Sequence, residues 1–186
     1  MRGRGASAEA DLAASVTGAS LVPMNDLHPE PAHSTARPDA APFAAQLRAA
    51  GVPESIWPML ASHGVGELVP KLGIVFTRME AERVEATMPV AGNTQVVGLL
   101  HGGATAALAE TLGSFAAALH AQGRKNPVGV DLNITHHRGA REGLVYAVCT
   151  SLHLGRTSTS HQIAVSDAEG RAIATARITN QLLEPR

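Results

Sequence analysis

The fold is decided by the stretch His101-Gly102-Gly103-Ala104-Thr105-Ala106-Ala107-Leu108-Ala109-Glu110-Thr111-Leu112-Gly113-Ser114. It contains no proline and predicts a helix of several turns. On a helical wheel, small residues share one face with a single carboxylate, and the opposite face is large and apolar. The first face holds Gly103, Ala106, Ala107, Glu110, Ser114 and Ala117, and the second holds Leu108, Leu112, Phe115 and Leu119. Because both faces are largely apolar, we expect this helix to be buried nearly all round.

Glu110 is the residue of this helix that needs an explanation. The positions three and four residues away hold Ala106, Ala107, Gly113 and Ser114, so no cation on the same helix can pair with it. Burying an unpaired carboxylate is costly, and the cost is usually offset by a tertiary partner, a raised pKa or a functional use. The small residues beside Glu110 leave room for a ligand, which favours a functional use over an ion pair with an arginine from another segment.

Composition excludes several classes of function. The chain has 186 residues, 45% of them hydrophobic, which is enough for one domain with a substantial core. A formal net charge of −1 gives no electrostatic signature for nucleic acid or an anionic membrane surface. Cys149 is the single cysteine, so no internal disulfide can form, and a reducing, cytoplasmic location is expected. The apolar run at 99–119 is interrupted by His101, Glu110 and three glycines, and does not predict a membrane span.

The N-terminal part of the chain differs from the rest. Residues 1–41 are rich in alanine, serine, glycine and proline without apolar periodicity, which predicts a poorly ordered tail in front of a domain at 42–186. Met24 is a candidate for the natural start of the protein. No sustained apolar core precedes Pro23, so a secretory signal is not expected.

The remaining segments predict an α+β fold. Short helices are expected at 43–50 and 53–62, and a hairpin of two strands at 68–80 and 82–90. Three or four strands should follow the central helix, at 128–138, 144–154, 159–167 and 171–183. Both alternating residue sets of the strand at 144–154 are apolar, which predicts cover on both faces, by the helix and by a second subunit. A helix with apolar neighbours all round requires a sheet that curls about it.

The two glycines at the start of the central helix suit a particular chemistry. Gly102 and Gly103 let backbone N–H groups approach a ligand closely, and a helix N-terminus favours developing negative charge. Such a place suits a carbonyl oxygen that becomes an oxyanion. A tight turn between strand and helix, with no ligand, explains the same two glycines.

Further candidates are weaker. His136 lies on the apolar face of its predicted strand, as a core residue or a site residue. Arg156 is followed by four hydroxyl residues, which suit a phosphate or a solvated turn. No His-Glu-x-x-His and no Cys/His cluster is present, so we predict no metal. The absence of a Gly-x-Ser-x-Gly elbow and of a phosphate loop argues against serine hydrolases and nucleotide hydrolases.

Several motifs together carry a resemblance that covers 64–183. They are Gln95-Val96-Val97-Gly98-Leu99-Leu100-His101-Gly102-Gly103, Leu108-Ala109-Glu110-Thr111-Leu112-Gly113-Ser114, Val128-Gly129-Val130-Asp131-Leu132-Asn133, then His136, Arg138 and Ala140-Arg141-Glu142-Gly143, and Leu152-His153-Leu154-Gly155. In these the chain resembles the hotdog-fold acyl-CoA thioesterases of the PaaI-like branch, in particular the dihydroxynaphthoyl-CoA and hydroxybenzoyl-CoA thioesterases. The resemblance implies a long helix wrapped by a curved antiparallel sheet, in a dimer or dimer of dimers (a homotetramer), with active sites at the subunit interface.

The resemblance also implies an activity and its residues. The expected reaction is hydrolysis of a CoA thioester, of an aromatic or compact acyl group, with coenzyme A as part of the substrate and no further cofactor. Glu110 is expected to be the nucleophile or general base. Gly102 should polarise the thioester carbonyl, Gln95 and His101 should position that group, and Ser114 should orient water or the carboxylate.

The expected substrate-binding residues are His136, at the acyl end of the pocket, and Gly103, Thr111, Arg138 and Arg156. One alternative is a non-catalytic hotdog protein that binds acyl-CoA or an acyl carrier, although a mere binder has no evident need for a buried acid. Another is a hotdog enoyl-CoA hydratase, whose Asp and His motif is not found in this sequence.

Overall fold

The computed structural model describes residues 43–185, in which six strands form one antiparallel sheet in the order β1-β2-β4-β5-β6-β3. The helices are α1 (Ala44–Ala49), α2 (Trp57–Leu60), α3 (Leu68–Leu72) and α4 (Gly102–Ala121), with a 3₁₀ turn at Glu54–Ile56. The strands are β1 (Val75–Met79), β2 (Arg83–Pro89), β3 (Asn126–His136), β4 (Leu144–Leu154), β5 (Ser158–Ser166) and β6 (Ala172–Leu183).

The core lies between α4 and one face of the sheet, and α4 contacts all six strands. Leu108, Leu112 and Ala116 on the helix are fully buried. They pack with apolar residues that alternate along the strands, among them Val145, Cys149, Ile163 and Ile178. The predicted α+β hotdog arrangement, a long central helix against an antiparallel sheet, is therefore confirmed, as are the four strands after the helix.

The expectation that α4 is buried nearly all round is wrong for the single chain. The leucine-bearing face is buried, but Glu110 is only half-buried and Gly103 is exposed. The sheet covers one side of the helix, and on the other side Ala106, Ala107 and Ser114 are only partly covered by residues 43–185, while Ala117 is fully buried. The wheel could not show this, because small apolar residues are typical both of tight packing and of an open face that awaits a ligand or a partner.

The predicted strand at 68–80 is wrong in its first half. Residues 68–72 form α3, which ends at Gly73 with φ +67, and the strand begins at Val75. Pro70 is tolerated because it lies in the first turn of the helix, where its missing N–H group has no partner to lose. The predicted helices at 43–50 and 53–62 are present in shorter form, and the hairpin between β1 and β2 is present as expected.

Two surfaces of the sheet are left uncovered by residues 43–185. The helix side of β4 is buried, but on its other side Leu144 and Tyr146 are 42% and 41% exposed. The predicted cover by the helix is therefore confirmed, and the predicted cover by a second subunit stays a prediction. Strand β3 is the last of the sheet, so no strand from residues 43–185 lies beside one of its edges, and Val128 and Val130 there are 44% and 57% exposed.

The predicted tail at 1–41, with Met24, lies outside the described residues, so the domain boundary at 42 stays a prediction. None of the helices at 43–185 is long and apolar enough to cross a membrane. A cytoplasmic location likewise stays a prediction.

Candidate active site

A loop held by backbone and amide hydrogen bonds delivers the chain to the start of α4. Leu100 N–H donates to the Ala140 carbonyl at 2.7 Å, and His101 N–H donates to the Asn93 carbonyl at 2.8 Å. The buried Asn93 amide donates to the carbonyls of Leu72 and Pro89 at 2.8 and 2.9 Å. The sequence reasoning missed Asn93. An asparagine directly after Gly92 in a predicted loop is the signal that could have identified it as a loop anchor.

A cavity of about 380 Å³ opens at the N-terminal end of α4. Four residues that the sequence singled out line this cavity, namely Gln95, Gly102, His136 and Arg138. They come from the loop, the helix start and the end of β3, so the fold brings together residues that are distant in the sequence.

Gly102 presents a free hydrogen-bond donor to this cavity. His101 caps the helix, and its Nδ1 accepts from Gly103 N–H at 2.8 Å, so that second N–H group is already used. Gly102 N–H has no acceptor among residues 43–185. A methyl group added at Gly102 would lie 3.0 Å from His136 Nε2, so the glycine lets the imidazole contact the helix start. A free N–H at a helix N-terminus, beside a cavity, can stabilise an oxyanion.

Glu110 lies farther along α4, with its carboxylate against β3. Ser114 Oγ donates to Glu110 Oε1 at 3.3 Å, and a methyl group added at Gly129 would lie 2.5 Å from the same oxygen. No ion pair to Glu110 is found within residues 43–185, although seven other pairs are. Gly129 was missed by the sequence reasoning, which placed it in a motif without a role. The carboxylate is half-buried and has one side-chain donor, so it is available to act as a base or a nucleophile.

One chain does not bring Glu110 and Gly102 to the same point. They are eight residues apart on α4, which corresponds to about 12 Å along the helix axis. They also contact β3 at different places, Glu110 at Gly129 and Gly102 at His136, which are seven residues apart. A reacting carbonyl carbon would have to lie about 3 Å from each group, and this is impossible with both groups from one chain.

The other predicted residues are spread around these two places. His101 and Gly103 are exposed at the helix cap, and Thr111 is half-buried beside Glu110 in the sequence. Arg156 is not near the first cavity. It lines a second cavity of about 340 Å³ at the C-terminal end of α4, with Arg124 and Lys125.

Two further groups bear on the chemistry. No group of three His, Cys, Asp or Glu side chains suited to a metal ion occurs within the described part of the chain. Cys149 is fully buried in the sheet, and burial raises the pKa of its thiol to about 12. That thiol is therefore protonated at neutral pH and is not a nucleophile.

Comparisons with known proteins agree on one family. The sequence model of the thioesterase superfamily matches residues 97–174. The proofreading thioesterase EntH of Cronobacter sakazakii is 46% identical over 125 residues, which are 67% of this chain and 91% of that protein. The crystal structure of a Haemophilus influenzae thioesterase is 37% identical, with a TM-score of 0.61, and 68% of this chain and 87% of that chain are covered.

Two structures of a Staphylococcus aureus protein, one of which describes it as a thioesterase enzyme, are each 28% identical to this chain. Their TM-scores are 0.61 and 0.60, and they cover 64% and 63% of this chain and 100% and 98% of their own. One carries alanine in place of a glutamate, and the other carries alanine in place of a glutamine fifteen residues earlier in that chain.

The antiparallel sheet with its long helix, the family match and the 46% identity over 91% of a thioesterase lead to one conclusion: this chain belongs to the thioesterase superfamily and is a thioester hydrolase.

Proposed function

We propose that this thioesterase hydrolyses CoA thioesters of aromatic or other compact acyl groups, at a site that combines Glu110 of one copy with Gly102 of a second copy. The observation that carries the proposal is the pair of complementary groups that one chain keeps apart. One is a free N–H group at a helix start, and the other is a half-buried carboxylate without a cation partner in the described part of the chain.

The free edge of β3 offers a way to bring the two groups together. Antiparallel strands of two copies can pair along this edge, which would also cover the exposed Val128 and Val130. If Asn133 lies opposite its own counterpart at the two-fold axis, the extra residue between Gly129 and Asp131 brings Gly129 of one copy opposite His136 of the partner subunit. Glu110 contacts Gly129 and Gly102 contacts His136, so this register places the carboxylate of one copy beside the helix start of the other.

In this arrangement each group has a defined task in hydrolysis. The thioester carbonyl oxygen accepts a hydrogen bond from Gly102 N–H, which stabilises the negative charge that develops as the carbonyl carbon is attacked. Glu110 either takes a proton from the attacking water or attacks the carbon itself, and the residues present are compatible with both routes. The carbon–sulfur bond then breaks, and the CoA thiolate leaves and takes up a proton that was lost by water. If Glu110 attacked the carbon, a second step follows in which water hydrolyses the mixed anhydride, so that the acid is released and the Glu110 carboxylate is restored. Ser114 holds the carboxylate, and Gln95 borders the same cavity as Gly102.

Three observations support the details. The volume of the first cavity, about 380 Å³, is near the lower end of the range for small-molecule sites, which favours a compact acyl group. Three cations border the second cavity, Arg124, Lys125 and Arg156, and suit the phosphates of coenzyme A. Gln95 and Glu110 are fifteen residues apart, the same separation as the glutamine and glutamate that were replaced in the Staphylococcus aureus structures.

The name of the curated relatives adds one hypothesis about the cellular role. A proofreading thioesterase removes acyl groups, and we propose that this chain likewise cleaves several related thioesters rather than one. A site open to a range of compact acyl groups would serve that role, on CoA or on an acyl carrier protein.

The experiment is an activity panel with free-thiol detection. Benzoyl-CoA, hydroxybenzoyl-CoA, acetyl-CoA and palmitoyl-CoA are compared for the natural protein and for Glu110→Gln. We expect kcat/KM to be highest for the aromatic substrates and to fall by at least about 100-fold in Glu110→Gln. Highest activity toward palmitoyl-CoA would contradict the acyl assignment, and undiminished turnover by Glu110→Gln would contradict the catalytic one. Tight acyl-CoA binding without thiol release by the natural protein would instead identify a binding module.

A further inference from the structure

Three polar side chains are completely buried between the sheet and α4, outside the residues discussed so far. They are Thr159 and His161 on β5 and Asn180 on β6, each with 0% exposure. The Thr159 hydroxyl, both ring nitrogens of His161 and both amide atoms of Asn180 have no hydrogen-bond partner within residues 43–185. A buried polar group without a partner costs free energy, so three together indicate a use other than packing.

The strand register relates Asn180 to Glu110. Asn180 is paired with Gly129 of β3 on one side and with Thr159 of β5 on the other. Side chains of paired positions point to the same face of a sheet, and neighbouring strands are about 4.8 Å apart. Gly129 has no side chain, and the Glu110 carboxylate occupies the space where one would lie. The Glu110 carboxylate, the Asn180 amide and the Thr159 hydroxyl therefore form a row across three strands.

The carboxylate in this row lacks donors. Its one side-chain donor within residues 43–185 is Ser114 Oγ, at the long distance of 3.3 Å. An amide N–H is a good donor to a carboxylate, and hydrogen bonds to a charged group are stronger than those between neutral groups. A bond of this kind favours the ionised form of an acid and fixes its orientation.

From this row we infer that Asn180 is a positioning residue for Glu110: in the working enzyme its side-chain N–H group hydrogen-bonds to the Glu110 carboxylate, and Thr159 orients the amide. The inference rests on the proposed role of Glu110 and adds a residue from a different strand to it. Asn180 does not contact the substrate, since it is fully buried. It acts by keeping the carboxylate ionised and aimed at the reacting carbon.

The other titratable groups near this row are accounted for. Asp131 on β3 faces the opposite side of the sheet and pairs with Arg177 at 3.5 Å. His136 lies at the other end of β3, against Gly102. His120 on α4 contacts the Gly155 carbonyl at 3.0 Å, and His161 on β5 is paired with Ile178, two register positions from Asn180. These positions leave Asn180 as the neutral donor on the sheet side of the carboxylate, besides Ser114 on the helix.

A purely structural role makes a different prediction for activity. If Asn180 serves packing alone, an apolar side chain of similar size should change neither kcat nor its pH dependence. If Asn180 serves Glu110, the same change removes an expensive buried amide, so the melting temperature should stay the same or rise while activity falls.

The test compares Asn180→Leu and Asn180→Asp with Gln162→Leu, a matched control that removes an exposed amide from the outer face of β5. For each protein, kcat and KM are measured on benzoyl-CoA, or on the best acyl-CoA of the panel, from pH 4.5 to pH 9, together with thermal melting. Glu110→Gln is included to test the proposed function separately. Asn180→Asp keeps the shape of the side chain, so it serves if Asn180→Leu does not fold.

We expect Asn180→Leu to lower kcat by roughly 10- to 100-fold with KM changed less than about threefold, which corresponds to one hydrogen bond to a charged group. The acid limb of the kcat profile should move to higher pH in Asn180→Leu and further in Asn180→Asp, because a second acid also repels the carboxylate. Gln162→Leu should match the natural protein.

Natural kcat and an unmoved acid limb in both folded Asn180 variants would overturn the inference. If Glu110→Gln is inactive in that case, the proposed function stands and only the role of Asn180 fails. If Glu110→Gln itself is fully active, the proposed function fails first.

Discussion

Gly129 gives the sharpest prediction about Glu110, because nothing but the lack of a side chain there lets the carboxylate reach β3. A methyl group at this position would lie 2.5 Å from Glu110 Oε1 and 3.4 Å from Cδ. Ordinary van der Waals contact needs about 3.4 Å, so Gly129→Ala must push that oxygen away by about 1 Å. Gly129 does not have a positive φ, so alanine causes no backbone strain there.

A displacement of about 1 Å in a catalytic group costs on the order of 100-fold in rate. We therefore expect Gly129→Ala to lower kcat by about that factor on an acyl-CoA substrate, measured by thiol release. The melting temperature should change little, because Gly129 is an exposed strand residue and alanine disfavours strands no more than glycine does.

A double-mutant cycle separates this effect from a general disturbance. Glu110→Asp shortens the side chain by one methylene group and withdraws the carboxylate from β3. Gly129→Ala should then cost much less in the Glu110→Asp background than in the natural protein. Equal losses in the two backgrounds, or full activity of Gly129→Ala itself, would refute the placement of the carboxylate on which the site rests.

Three further predictions concern the helix, the sheet and the cavity. Gly113→Ala would bring a methyl group into the side chain of Ile178. The cost of overpacking, about 1–3 kcal/mol, should exceed the gain in helix propensity of about 1 kcal/mol, so the melting temperature should fall. An unchanged melting temperature would contradict this packing. Burial and, to a smaller extent, the nearby His120 lower the pKa of His161, so the unfolded chain binds more protons below about pH 6.5. The free energy of unfolding should therefore fall as the pH drops from 7.5 to 5, and His161→Leu should flatten that dependence. Gly102→Pro removes the N–H group, and proline suits the first helical position after the extended His101. The control Gly102→Ala keeps the N–H group and makes the same contact with His136, so kcat should fall by about 100-fold more in the proline variant. Equal kcat in the two folded variants would exclude an oxyanion role for this N–H group.

The sequence was informative wherever a local pattern decides the outcome. The charge-free surroundings of Glu110 predicted the central helix, and the apolar patterns along 128–138 and 144–154 predicted strands after it; both are present. The functional role of Glu110 stays a prediction. The start of the hairpin failed because Leu68 to Leu72 can form either an apolar strand or a short helix, and Gly73 with its positive φ decides between them.

The neighbours of Glu110 could not be predicted from the sequence. Gly129 and Asn180 flank the carboxylate only because β3 and β6 pair in one register, with an irregularity between Gly129 and Asp131 that no local pattern reveals. The separation of Glu110 from Gly102 on one helix follows from helical geometry. The sequence does not show that β3 has a free edge, along which two copies could pair and bring the two groups together.

The most direct test of the two-copy site is complementation between two inactive variants. Glu110→Gln and Gly102→Pro are co-expressed with different tags, or mixed after reversible unfolding, and thiol release is compared with that of each variant alone. In a mixed dimer one site receives the natural Glu110 and the natural Gly102, so random mixing should restore about one quarter of natural activity. If both groups acted within one chain, every site would carry one lesion, and a mixture no more active than the better parent would contradict the account.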